Sequence, residues 1–156
     1  MADFIAPTMM PAQVYGDGGI GGPGSSLGTY LAAYSGLTFG GPGGLEAIQV
    51  IAIDDPLGVA GGPFFTGEFV ELGDIENVGG SCSFPALADA PQAGRAELIE
   101  VNDRRALDAV YRNGQLYVVA TIDPFGPCDP AVAGETTAYW ARLDASGGPG
   151  TIVLGD

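Results

Sequence analysis

Short apolar stretches, rich in β-branched and aromatic residues, alternate along this chain with breaks of glycine and proline. That rhythm predicts strands joined by turns rather than helices. Leu116–Ile122 is apolar on both faces: Leu116, Val118, Ala120 and Ile122 point one way, Tyr117 and Val119 the other. A strand greasy on both sides belongs inside a stack of sheets. Ile48–Ile53 has the same character, whereas Val70–Asp74 and Ile152–Asp156 alternate as edge strands do. The one helix candidate, Ala93–Asn102, is short and contains strand-like Leu98-Ile99, so it reads as strand or coil.

The strands recur in order. Val14-Tyr15-Gly16-Asp17-Gly18 is similar to Val110-Tyr111-Arg112-Asn113-Gly114, and each reads as a strand end entering a hairpin turn. Gly28–Tyr34 aligns with Gly114–Ala120, Ile48–Asp54 with Ala138–Asp144, and Val70–Asp74 with Ile152–Asp156. The expectation is all-β: two tandem four-stranded antiparallel units, over residues 1–75 and 105–156, with 76–104 as linker. A compact β-sandwich of about eight strands is the alternative architecture. The glycine-rich loops, such as Gly16–Gly28 and Gly40–Gly44, permit tight reversals and contribute little packing.

Val101-Asn102-Asp103-Arg104-Arg105, followed by Ala109–Tyr117 and then Trp140, resembles large secreted bacterial β-propeller proteins, as does Ile53-Asp54-Asp55-Pro56-Leu57-Gly58. The resemblance covers about two thirds of the chain and rests on strand-and-turn patterns without a catalytic signature. It implies propeller-type blades and an exported protein, extracellular or in the cell envelope. A closed propeller needs roughly four to eight blades. Two would leave apolar sheet faces open, so further sequence, or association with other chains, is expected to cover them. The residues expected to pack there are Tyr111, Leu116, Tyr117, Val118, Tyr139 and Trp140.

Charge narrows the partners. Five arginines and no lysine face 19 carboxylates, for a net charge of −14. Nucleic acid and anionic membranes both require clustered cations, and only Arg104-Arg105 are adjacent. No apolar run is long enough to span a bilayer as a helix, and Met1-Ala2-Asp3-Phe4 shows no signal-peptide pattern. A cation, a neutral glycan or a protein suits this charge, and with blade-like faces to cover, protein is the expected partner: further copies of the chain, or the rest of a larger assembly.

The chemistry available is limited. Without histidine the Ser-His-Asp and Cys-His arrangements are excluded, and without lysine so are Schiff-base and phosphate-loop chemistry. Asp103, Asp108 and Asp123 are the carboxylates to test for glycoside hydrolysis, although acids at strand ends commonly hydrogen-bond turns. Calcium would draw on Asp54-Asp55 or on Asp123, Asp129 and Glu135, in a loop whose Asp-Pro pairs also read as simple turns. No other cofactor is expected. Gly16-Asp17-Gly18-Gly19-Ile20-Gly21 fits the bare dinucleotide pattern but lacks a strand–helix context and reads as a loop. Tyr111, Tyr117, Tyr139 and Trp140 would serve either as a sugar platform or, at alternating strand positions, as packing between sheets. Cys82 and Cys128, both in Gly/Pro-rich surroundings, point to one disulfide and an oxidising compartment, with two unrelated reduced thiols as the alternative. The sum is a non-catalytic structural or interaction module, with a carboxylate hydrolase or a calcium-dependent binding module as alternatives.

Overall fold

The computed structural model describes residues 8–15, 27–39, 45–58, 61–76, 87, 89–101, 105–124 and 136–155. These contain strands and turns and no helix. In chain order the strands are β1 (Met10–Pro11), β2 (Gln13–Tyr15), β3 (Leu27–Phe39), β4 (Leu45–Asp54) and β5 (Phe64–Gly73). They continue with β6 (Ala106–Arg112), β7 (Gln115–Ile122), β8 (Thr137–Asp144) and β9 (Val153–Leu154). Two sheets result, one of four strands in the order β1-β3-β4-β5 and one of five in the order β2-β6-β7-β8-β9. We call them sheet A and sheet B.

Each sheet is mainly an antiparallel meander, and local sequence sets its turns. Between β6 and β7 the reversal runs through Asn113 (φ 51°) and Gly114 (φ 79°). Positive φ at both central residues is the two-residue hairpin geometry that Asn-Gly favours. After β4, Gly58 N–H donates to the Asp55 carbonyl (2.9 Å), closing a turn with Pro56 at its second position. Pro56 sits so close to the start of β3 that a Cβ on Gly28 would lie 2.5 Å from Pro56 Cγ. Only glycine fits there without displacing the turn.

The inner faces of the two sheets share one hydrophobic core. Ile48, Val50 and Ala52 from β4 and Leu116, Val118 and Ala120 from β7 belong to it, all of them buried. The rings of Tyr30 and Tyr111 touch across the interface, with centroids 5.4 Å apart. Polar ties reinforce the apolar contact. From the edge strand β5, Glu68 accepts the N–H groups of Gly150 (2.9 Å) and Ile152 (3.1 Å), clasping the approach to β9.

The first aligned segment of the sequence takes a place that the alignment does not anticipate. Val14-Tyr15 ends β2, which pairs parallel to β6 (Gln13↔Val110, Tyr15↔Arg112) rather than opening a hairpin within sheet A. The strand beside β3 is instead β1 (Met10↔Ala32, Pro11↔Leu31). The N-terminal segment therefore crosses from one sheet to the other at buried Ala12, whose N–H donates to the Tyr30 carbonyl. Pro11 has no N–H to extend the first ladder, and the open edge of β6 offers a second one. β5 begins at Phe64, well before the alternating stretch Val70–Asp74 that the sequence marks.

Candidate interaction surface

Strand register decides which aromatic residues face the core and which face out. On β7, Leu116 and Val118 are buried, whereas Tyr117 and Val119 remain 37% and 38% exposed. Register places Tyr117 beside Val110 of β6 and Arg142 of β8, and Val119 beside Asp108 and Trp140. Trp140 is 64% exposed, and its ring lies 6.5 Å from that of Tyr117 at an interplanar angle of 30°. Exposed Tyr15 continues this outer face beside Arg112. The outside of sheet B is thus an aromatic and aliphatic strip bordered by two of the five arginines.

Two acids lie on the same face, and both have local partners. Asp108 accepts the N–H of Ala109, and Asp144 accepts bonds from Gln115 Nε2 (3.3 Å) and the Ser146 N–H (2.9 Å). The Ser146 bonds, then those from Gln115 and the charge of Arg142, hold the Asp144 carboxyl below its ordinary range. Asp108 thus bonds locally at the irregularity in β6, and Asp103 lies outside the described residues.

The six residues expected to pack thus divide. Tyr111, Leu116 and Val118 belong to the internal core, and Tyr117 and Trp140 to the outer face of sheet B. Tyr139 packs against the margin of the core, where burial and then the nearby Glu46 push its hydroxyl pKa upward.

The outer face of sheet A has a different relief. Register aligns Thr29, Ile53 and Phe65 in one row, and Leu31, Ile51 and Gly67 in the next. Ala33, Gln49 and Phe69 form a third. Phe65 is 64% exposed and Phe69 is also exposed, while Gly67 between them presents no side chain. A Cβ at Gly67 would meet only Ile51 Cγ1, at 3.9 Å. Phe65 and Phe69 thus flank a gap in the side chains of β5 beside Ile51, while Ala33, Ala47 and Gln49 on the same face are buried. The sequence contains its signal, a Phe-x-Gly-x-Phe alternation at period two, which the reading of β5 as starting at Val70 passes over.

A set of buried acids lies near the start of β4 and just beyond the ends of β5 and β7. Glu76 is fully buried and accepts the Tyr34 hydroxyl on Oε2 and the Asp123 N–H on Oε1 (2.9 Å). Glu46, also fully buried, accepts the Ile75 N–H on Oε2 (2.9 Å), and its Oε1 has no partner among the described residues. Burial drives the Glu46 pKa up, with Asp74 and Glu76 adding to the rise and the backbone bonds opposing it. Of the calcium candidates, Asp123 is buried here beside Glu76, while Asp129 and Glu135 lie outside the described residues. Among the described residues no group of three or more metal-ligating side chains converges. Cys82 and Cys128 also lie outside them.

The chain matches no protein-family model, and comparison with curated proteins and with solved structures returns no match.

Proposed function

We propose that the protein is a non-catalytic, exported interaction module whose outer sheet faces pack against further blades or subunits. The observation that carries this reading is the exposed cluster of Tyr117, Val119 and Trp140 on β7 and β8. A strand with apolar side chains on both faces gains little from the outward ones unless another layer covers them. The meanders β3-β4-β5 and β7-β8-β9 support reading the two sheets as blade-like units. Their face-to-face stacking is what adjacent propeller blades share with a sandwich.

Export is supported by the resemblance to secreted propeller proteins and by the pairing proposed for Cys82 and Cys128. The hydrogen bond from the Asp123 N–H to Glu76 fixes two chain positions together. Each cysteine follows one of those positions by a few residues, a span of at most roughly 20 Å when extended. Intact mass before and after alkylation, with and without reductant, tests the bridge: two thiols labelled without reductant exclude it.

The interaction reading is tested by comparing wild type with Trp140→Glu in light scattering after size exclusion, together with solubility. Contact through the face requires the wild type to associate, or to precipitate at lower concentration than the variant. A wild-type chain that is a 15.7 kDa monomer and no less soluble than Trp140→Glu refutes it.

A further inference from the structure

The outward rows of sheet B carry both signs of charge in an order that is complementary to itself. We infer that two copies of the chain pair through this face about a twofold axis running along β7, with Arg112 of each copy set against Asp144 of the other. This rests on the interaction reading proposed above and names the partner.

The first row carries the argument. β7 is the middle strand of the five in sheet B. Register sets Tyr15, Arg112, Gln115, Asp144 and Val153 side by side, one from each strand between β2 and β9. A twofold axis along β7 exchanges β6 with β8 and β2 with β9. Face to face, it lays Arg112 on Asp144 twice and Tyr15 on Val153 twice, with Gln115 on its counterpart at the centre. Tyr15 and Val153 are 54% and 56% exposed, so both have apolar surface to gain cover for. Within one copy, Arg112 and Asp144 stand two strand spacings apart, about 10 Å, and do not reach each other directly. Stacked sheets keep their strands within about 30° of each other, so the rows stay opposed.

The other two rows agree. Val110 and Arg142 flank Tyr117, and the axis lays the Arg142 stem along Val110 of the other copy. Asp108 and Trp140 flank Val119, and the axis brings the indole N–H, a donor only, over the Asp108 carboxylate. No charge in these rows meets its like. An axis across the strands through Tyr117 would instead set Arg142 on Arg142. The charges in these rows balance, Arg112 and Arg142 against Asp108 and Asp144, on a chain of net charge −14. Two copies therefore approach here without opposing net charge, as complementary association requires. The rows cover about 24 by 20 Å, near 500 Å² per copy, at the low end of specific interfaces. The dimer is thus a weak one, and because the contact is isologous it closes at two.

Charge reversal tests it, by light scattering up to about 300 µM, a range that reaches weak complexes. Wild type is expected to approach a dimer of twice the 15.7 kDa chain mass and grow no further. Arg112→Asp and Asp144→Arg each oppose two like-charged pairs and should weaken self-association at least about 10-fold. Mixed in equal amounts, the two variants should dimerise again, because each carries the charge that the other's altered site now requires. Asp144→Arg gives up the bond from the Ser146 N–H, so its circular dichroism is compared with wild type. Should it differ, Asp144→Asn keeps that acceptor and should still restore part of the association of Arg112→Asp.

A wild-type dimer that Trp140→Glu disrupts and neither reversal weakens overturns the axis along β7 and leaves face-mediated contact standing. Reversals that weaken the dimer without recovery in the mixture overturn it too, as do assemblies larger than a dimer. A wild type that stays monomeric at 300 µM overturns the self-pairing. If that monomer is also no less soluble than Trp140→Glu, the reading beneath falls with it.

Discussion

Replacing Glu46 by glutamine should stabilise this protein at neutral pH and leave it unchanged in acid. Glu46 is fully buried, with one carboxyl oxygen bonded to the Ile75 N–H and the other without a partner among the described residues. Burial, then the charges of Asp74 and Glu76, raises its folded pKa above the ordinary glutamate value of roughly 4.3. A carboxyl whose folded pKa is raised binds its proton more tightly in the native state. Its favourable contribution is therefore fully present below about pH 4 and lost as pH rises through the folded value. Glutamine retains an acceptor for Ile75 and removes the buried charge. The cost of a buried, unsatisfied polar atom is roughly 1–3 kcal/mol, and the amide that takes its place lacks a partner too. The expected gain is therefore at the low end, about 1 kcal/mol at pH 7 and near zero at pH 4. For a chain of this length that corresponds to a rise of about 2–4 °C in Tm. Urea denaturation of both proteins at pH 4 and pH 7 measures the difference, and other carboxylates cancel in the comparison. Equal loss of stability in Glu46→Gln at both pH values would refute the reasoning, because it would mean that the carboxyl's shape, not its charge, matters there.

Tyr30→Phe removes a buried hydroxyl that has no partner among the described residues and keeps the ring against Tyr111. Its pKa is pushed up to about 12 by burial, then by Tyr111 and Glu68. Wild type should thus lose stability as pH rises from about 10 toward 12, where the unfolded tyrosine ionises first. The variant should lose less, and identical alkaline denaturation curves would contradict this. Glu68→Ala should cost about 2–3 kcal/mol by removing two charge-assisted bonds. Amide exchange at Gly150 and Ile152 should quicken selectively, and uniform acceleration across sheet B would show that the clasp is not local. Gly28→Ala forces a Cβ against Pro56 and should cost about 1–3 kcal/mol, as overpacking does. Adding Pro56→Ala should restore part of that in a urea titration, and simple additivity of the two substitutions would speak against the contact.

Much of this architecture is legible in the sequence because period-two alternation and Asn-Gly turns are local signals. Val70–Asp74 reads as an edge and Asn113-Gly114 as a hairpin, and both hold that place here, whereas Leu116–Ile122, read as buried inside a stack of sheets, is central in sheet B but leaves Tyr117 and Val119 exposed on its outer face. What is not legible depends on register between distant strands. That Tyr117 faces outward while Leu116 faces the core follows from which face the second sheet covers. One residue of slip would exchange them. Nothing local in the sequence marks Glu46 or Glu76, and only the packing of the two sheets buries them. The gap at Gly67 escapes for the opposite reason: glycine inside a strand reads as a weakness rather than as a shape.

The crossing of the N-terminal segment sets a timetable for biosynthesis. Gln13–Tyr15 pairs with Val110–Arg112, so a strand made near the start of translation waits for residues 97 positions later, the difference between Val110 and Gln13. At roughly 5–20 residues per second that delay is about 5 to 20 s. During it, Met10–Pro11 has already been given a neighbour in β3, while the segment just beyond it remains unpaired. The strand that starts sheet B thus has no partner until β6 has been made, and the pairing of β6 with it is the step that ends its exposure.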